Sequence, residues 1–192
     1  MFYLGLPIHR RSALRPSRGF TLVELLAGVA IMTVLSVVAV VGFRQHMSSA
    51  RGTEALSVIQ AIRSAQESYM AENKMYVNVS TSKGGVDWYP QPVQNTKRAA
   101  WSNSKHLDNE RWQQLAPSIK QTVMFGYLVN AGVPGSVIPD LQVKRGPDLK
   151  APQPSDWYLI QARGDVDGDG LYSLYATTNL ATGEIYIEDQ GE

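Results

Sequence analysis

The chain has 192 residues, with 18 Lys and Arg against 17 Asp and Glu, 3 His and no Cys. This near balance of charge argues against a nucleic-acid partner, because phosphate binding draws on clustered cationic side chains. Disulfides are excluded, and so few His leave little material for a histidine-based catalytic or zinc site. Since no phosphate-cradling loop is present either, we expect a protein that is not an enzyme.

A basic leader precedes a long apolar segment. The leader, residues 1–19, contains 4 Arg and no acid, whereas residues 20–43 contain Glu24 as their only charged side chain. As a helix, this segment is about 36 Å long, which is enough to cross a bilayer. The leader lacks the apolar core of a secretory signal, and its positive charge predicts that it stays cytoplasmic while the rest of the chain crosses.

Glu24 is the unusual residue of the apolar segment. A carboxylate in hydrocarbon costs a few kcal/mol unless it is paired. No basic residue between positions 20 and 43 can supply the partner. The sequence therefore predicts a cationic partner from outside the segment. The plainer alternatives are an uncleaved membrane anchor with an isolated Glu, or a twin-arginine signal built on Arg10 and Arg11.

The residues around Glu24 resemble the processing site of type IV pilins and their pseudopilin relatives. In that family a short basic leader ends in Gly and is followed by Phe and then Thr-Leu-Val-Glu-Leu-Leu or a close variant. This chain has the run Gly19, Phe20, Thr21, Leu22, Val23, Glu24, Leu25, Leu26. The resemblance implies that a prepilin peptidase cleaves after Gly19 and that the new Phe20 amine is methylated. It also implies that Glu24 pairs with the α-amino group of a neighbouring subunit during assembly.

Three parts of the chain follow from this resemblance. They are a leader over residues 1–19, a transmembrane or assembly half of a helix over residues 20–43, and a globular head over residues 44–192. Removal of the leader leaves 14 Lys and Arg against 17 Asp and Glu, a net charge of −3. A weakly acidic mature chain makes nucleic-acid binding still less expected.

The helix is predicted to continue beyond the apolar segment. Apolar residues between positions 55 and 70 recur mostly at steps of three or four, with charged residues between them, which is typical of an amphipathic helix with one buried stripe. We therefore predict one helix over residues 20–73. The family often carries a Pro where this chain has Val41; Gly42 follows and also weakens a helix.

The remainder of the chain predicts a small sheet. Residues 77–120 look irregular apart from a short helix at 108–115, and residues 132–154 form a proline-rich loop. Residues 121–129, 157–162, 171–177 and 184–188 favour β-strands, with a hairpin connection at 179–183. We expect an α+β, pilin-like fold in which the long helix packs against an antiparallel sheet, with Trp88, Trp101 and Trp112 as packing residues.

An acidic, glycine-rich run lies between the predicted strands. Asp165, Asp167 and Asp169 alternate with small residues, as in the first half of an EF-hand loop, and carboxylate oxygens are the ligands that Ca²⁺ prefers. The bidentate Glu of a full loop is missing, because Ala176 stands there. Two interpretations stay open: a calcium site, or an acidic connection without metal. No other cofactor is expected.

The expected function is that of a structural subunit of a type IV pilus or related filament. The resemblance implies a single-pass inner-membrane protein whose head is periplasmic before it enters an extracellular filament or a periplasmic pseudopilus. Its expected partners are other pilin-like subunits, the prepilin peptidase, and an assembly platform with a separate ATPase. Two alternatives remain, a pseudopilin of a type II secretion system and a monomeric membrane-anchored binding protein.

Overall fold

The computed structural model describes residues 19–81, 87–91 and 97–189. The chain divides into two units, Met1–Val41 and Gly42–Glu192. The fold is α+β, as predicted. Its elements in chain order are α1 (Leu22–Asn73), β1 (Ala99–Ala100), α2 (Asn109–Leu115), β2 (Thr122–Val123), β3 (Gly126–Gly132), β4 (Trp157–Gly164), β5 (Ser173–Thr178) and β6 (Tyr186–Glu188).

The first unit contains the apolar start of α1. The stretch Leu22–Val40, 19 residues long, is long and apolar enough to cross a membrane. Its side chains are exposed, because none of the described residues of the unit covers them. The two hydroxyl groups of this stretch bond back to the helix itself: Thr33 Oγ1 donates to the Val29 carbonyl at 2.8 Å and Ser36 Oγ donates to the Met32 carbonyl at 2.7 Å. Such internal bonding is what a helix in hydrocarbon requires.

A four-stranded antiparallel sheet dominates the second unit, with the strand order β3-β4-β5-β6. Tyr127, Ala162 and Tyr175 lie side by side across its three longest strands. The strands predicted at 157–162, 171–177 and 184–188 are confirmed, with ends that differ by a few residues. Residues 179–183 connect β5 to β6, as predicted.

The second part of α1 packs on one face of this sheet. Ala55, Val58, Ile59 and Ile62 follow the three- and four-residue spacing of a helix face, and all are buried. They share one hydrophobic cluster with Tyr127 and other aromatic residues of the sheet. The predicted buried stripe is therefore confirmed, and so is the packing of the helix against the sheet.

Polar side chains also attach α1 to the rest of the second unit. Gln66 is fully buried; its Nε2 donates to the Val77 carbonyl at 2.7 Å and its Oε1 accepts the Val77 N–H at 3.0 Å. Arg63 donates to the Gly183 carbonyl at 2.9 Å. Glu54 accepts the Met124 N–H at 2.8 Å. These bonds satisfy backbone groups that would otherwise be buried without partners.

Two predictions about the middle of the chain were wrong. The strand predicted at 121–129 is two strands: β2 pairs with β1, while β3 joins the main sheet. The described residues of 77–120 contain the predicted short helix, found as α2, but also the two-residue strand β1, which was missed. Trp88 and Trp112 are buried, and Trp101 packs edge to face on Trp112 at 5.0 Å, which confirms their packing role. Residues 82–86 and 92–96 of this stretch lie outside the described residues.

The proline-rich stretch after β3 contains no helix or strand, as predicted, but it covers the second face of the sheet. The Gln142 N–H donates to Gln161 Oε1 at 2.7 Å, and Gln161 is itself buried on that face. The same stretch reaches β6: Lys144 donates its backbone N–H to Glu188 Oε2 at 2.5 Å, and its Nζ lies 3.0 Å from Oε1. The chain has no Cys that could form a disulfide here, and this ion pair connects β6 to the proline-rich stretch.

Candidate functional site

The predicted assembly residue lies in the first turn of α1. Glu24 folds back on Thr21: its Oε2 accepts the Thr21 N–H at 3.1 Å and the Thr21 hydroxyl at 3.0 Å. The Glu24 N–H in turn donates to Thr21 Oγ1 at 3.2 Å. A Thr and a Glu that satisfy each other's backbone donors form a capping box, which fixes the start of a helix. This role was not predicted from the sequence, although the Thr-x-x-Glu spacing is its signature.

The predicted cleavage residues lie directly before this capping box. Gly19 and Phe20 are exposed and outside the helix, and together with Thr21 and Glu24 they line one concave surface. The structure thus brings together the residues predicted for cleavage, methylation and assembly. A Cβ at Gly19 would meet no atom of the described residues within 4 Å. The rest of the predicted leader, residues 1–18, lies outside the described residues.

The acidic run folds into a tight loop between β4 and β5. Asp165, Asp167 and Asp169 each bring one oxygen within 4.8 Å of the others. Asp165 is largely buried, and its carboxylate accepts the Gly168 N–H at 2.7 Å and the Gly170 N–H at 3.2 Å. Both glycines have positive φ, 87° and 89°, which favours glycine in this turn.

Other oxygens in and next to this loop also take part in hydrogen bonds. Asp169 Oδ1 accepts the Leu171 N–H at 2.7 Å, and the Ser173 hydroxyl donates to the Asp189 carbonyl at 2.8 Å. Arg51 of α1 donates to the Val166 carbonyl and anchors the loop to the helix. The loop is therefore stable as an acidic turn held by its own hydrogen bonds. The calcium site stays a prediction.

The start of the chain matches a known family. The family described as "Prokaryotic N-terminal methylation motif" matches residues 14–40, which include Gly19, Phe20 and Glu24. The matched residues include the exposed apolar part of α1 and the capping box.

Named relatives are similar to part of the chain. A "Fimbrial protein" of Pseudomonas aeruginosa is 33% identical over 70 residues, which cover 36% of this chain and 46% of the relative. The "Type IV major pilin protein PilA" of Myxococcus xanthus (strain DK1622) is 32% identical over 68 residues, 35% of this chain and 31% of the relative. The chain thus spans less than half the length of these relatives. No solved structure matches it significantly.

Proposed function

We propose that this protein is a structural subunit of a type IV pilus or a related filament. The observation that carries the proposal is an apolar helix with exposed side chains and one carboxylate in its first turn, located in the segment that matches the methylation motif. In water this surface would be costly, since each buried CH₂ is worth about 0.8 kcal/mol. Lipid before assembly and neighbouring helices after assembly would both cover it.

The proposed assembly covers the exposed apolar surface of the helix. The processed helix leaves the bilayer sideways and packs into a bundle, where contacts with other helices replace contacts with lipid. Glu24 then gains the ammonium group of Phe20 from a neighbour, which neutralises the carboxylate and fixes axial register. In a medium of low dielectric constant an ion pair is much stronger than in water, so a subunit in the wrong register would leave a charge unpaired.

The same proposal covers processing and location. A prepilin peptidase cleaves after Gly19 and the Phe20 amine is methylated. The chain waits in the inner membrane with its head on the periplasmic side, and a platform with a separate ATPase drives its assembly with other pilin-like subunits. The names of the relatives, "Fimbrial protein" and "Type IV major pilin protein PilA", favour a pilus over a secretion pseudopilus.

Replacement of Glu24 tests the assembly role. Glu24→Ala and Glu24→Val should insert into membranes normally, because they remove a charge from the apolar helix, but should be depleted at least about tenfold from sheared surface filaments, since a lost buried partner costs more than 1.4 kcal/mol. Glu72→Ala, which changes an exposed carboxylate later on α1, is the control. Normal incorporation of the Glu24 variants would contradict the role.

Replacement of Gly19 tests processing. Because a Cβ at this position meets no atom of the described residues, Gly19→Leu should leave the fold of residues 20–189 unchanged and block cleavage. Mass spectrometry of the membrane fraction should then show a form longer by the 19 residues of the leader. Recovery of the wild-type chain in sheared surface filaments separates a pilin from a pseudopilin. Crosslinking through residues 20–43 separates both from a monomeric anchored binding protein.

A further inference from the structure

The two oxygens of the Glu24 carboxylate accept different numbers of hydrogen bonds from the described residues. Oε2 accepts two hydrogen bonds, from the Thr21 N–H at 3.1 Å and from the Thr21 hydroxyl at 3.0 Å. In the ranges 19–81, 87–91 and 97–189, no hydrogen bond to Oε1 is seen. Within the described residues, Oε2 is therefore bound by its own chain, and Oε1 is available to accept a hydrogen bond.

The Thr21 hydroxyl stabilises this arrangement both as a donor and as an acceptor of a hydrogen bond. It donates to Glu24 Oε2 and accepts the Glu24 N–H at 3.2 Å, so the side chains of both residues are tied to the same turn. Cleavage between Gly19 and Phe20 leaves these groups intact, because the Thr21 N–H belongs to the following peptide bond. The box therefore exists in the processed chain as well as in the precursor.

Such a box has two consequences for a carboxylate in an apolar segment. Two donors on one oxygen reduce the cost of removing the charge from water, because hydrogen bonds to a charged group are stronger than neutral ones. They also fix the side-chain rotamer, so that little conformational entropy remains to be lost when a cationic partner arrives.

We infer that Thr21 is a positioning residue for assembly: it holds Glu24 Oε2 within the subunit and leaves Oε1 open for the cationic chain end of a neighbour. This inference rests on the proposed function, since it assumes that Glu24 pairs between subunits. The part of Thr21 that matters is its hydroxyl. Thr21→Val removes the hydroxyl and keeps the shape, whereas Thr21→Ser keeps the hydroxyl.

Hydrogen exchange on the detergent-solubilised mature chain tests the box before any assembly. In Thr21→Val, the amide of residue 24 should exchange on the order of fivefold faster than in wild type, because it loses its acceptor. In Glu24→Ala, the amide of Thr21 should also exchange on the order of fivefold faster than in wild type, because it loses its acceptor. Thr21→Ser should match wild type. Unchanged exchange in Thr21→Val and Glu24→Ala would overturn the inference, since the box would then not exist.

Competition for a place in the filament tests the positioning role. Each variant is co-expressed with the wild-type chain, and trypsin releases residues 20–44 of both, which differ in mass. The ratio of variant to wild type is measured in membranes and in sheared filaments. We expect the ratio for Thr21→Ser to be the same in both fractions, and that for Thr21→Val to fall severalfold in filaments.

The results separate this inference from the proposed function. Equal ratios for Thr21→Val in membranes and filaments would overturn the positioning role even if exchange shows the box. Equal depletion of Thr21→Ser and Thr21→Val would also overturn it, because the hydroxyl would then not matter. Absence of the wild-type chain from filaments would count against the proposed function instead, and hydrogen exchange would still decide whether the box forms.

Discussion

Both parts of α1 contain apolar residues but use them in opposite ways. Ile31, in the first unit, is 61% exposed, whereas Ile62, in the second unit, is 0% exposed. Polar groups differ in the same manner: Thr33 bonds to its own helix at 2.8 Å, whereas Gln66 bonds to a distant loop at 2.7 Å. Apolar character alone therefore does not decide burial. The second unit supplies its own cover for the helix, whereas the described residues of the first unit do not.

The largest expected effect is a contrast between the two isoleucines. Ile62→Ala should reduce the free energy of unfolding of the second unit by about 2–5 kcal/mol, because it removes buried methyl groups and leaves a cavity. Ile31→Ala, the same change at an exposed site, should leave that free energy within about 0.5 kcal/mol. Denaturant unfolding of the detergent-solubilised chain measures both, by fluorescence of the 4 Trp, all of which follow position 42. Equal losses would contradict the contrast.

Gln66 should give the next largest effect. Gln66→Leu fits the volume of the site but leaves the buried N–H and carbonyl of Val77 without partners, which should cost about 1–3 kcal/mol. Gln60→Leu, at an exposed position of the same helix, is the matched control and should have little effect on unfolding. Unfolding midpoints in urea provide the comparison. Similar midpoints for the two variants would show that the Gln66 bonds contribute nothing.

The calcium prediction concerns the second unit alone. If the loop binds Ca²⁺, free ion at ten times the dissociation constant should stabilise the chain by about 1.4 kcal/mol, and a chelator should remove this gain. Asp167→Asn should lose the response, because it takes away a charged oxygen that the loop presents to solvent. Thermal unfolding measures each case. Identical melting temperatures with calcium and with chelator would contradict the predicted calcium site.

The smallest expected effect is a pH dependence at the C-terminal ion pair. The Lys144 backbone N–H and ammonium lower the pKa of Glu188 below 4.5, and Glu188 raises the pKa of Lys144 above 10.5. The Glu188 share of stability is thus present above pH 4.5 and lost as pH falls through the lowered pKa. The Lys144 share is present below pH 10.5 and lost as pH rises through the raised pKa.

Melting temperatures between about pH 3 and pH 7 check this dependence. Glu188→Gln should melt below wild type at neutral pH, and the difference should shrink as the pH falls. Glu184→Gln, at an exposed position nearby, should follow wild type throughout. A gap between Glu188→Gln and wild type that stays constant down to the acid end would mean that the ion pair is not its cause.

Local patterns predicted much of this fold. The helix predicted at 20–73 was found at Leu22–Asn73, and three of four predicted strands were found with shifted ends, since periodicity and β-branched residues act within a short stretch. The break that separates β2 from β3 was missed because each strand pairs with a partner far away in sequence. The covering of the sheet by Gln142 and the bonds of Gln66 also depend on distant residues.

The candidate sites show the same limit. Gly19, Phe20 and Glu24 could be predicted as site residues because their order along the chain carries the signal. The cost of a carboxylate in hydrocarbon predicts a partner between subunits but not the partner within the turn, Thr21. For Asp165, the sequence showed three alternating acids but not that two backbone N–H groups already occupy its carboxylate.

The ion pair between Lys144 and Glu188 has a consequence for how this chain can mature. One of the contacts of the last strand is an ion pair that forms and breaks reversibly, and the chain contains no thiols. The folded second unit thus needs no oxidant and no isomerase for disulfides, and reducing agents will leave it intact. The second unit can therefore reach the same fold in a reducing compartment as in an oxidising one. The ion pair at its last strand is weakened by acid, because Glu188 becomes protonated.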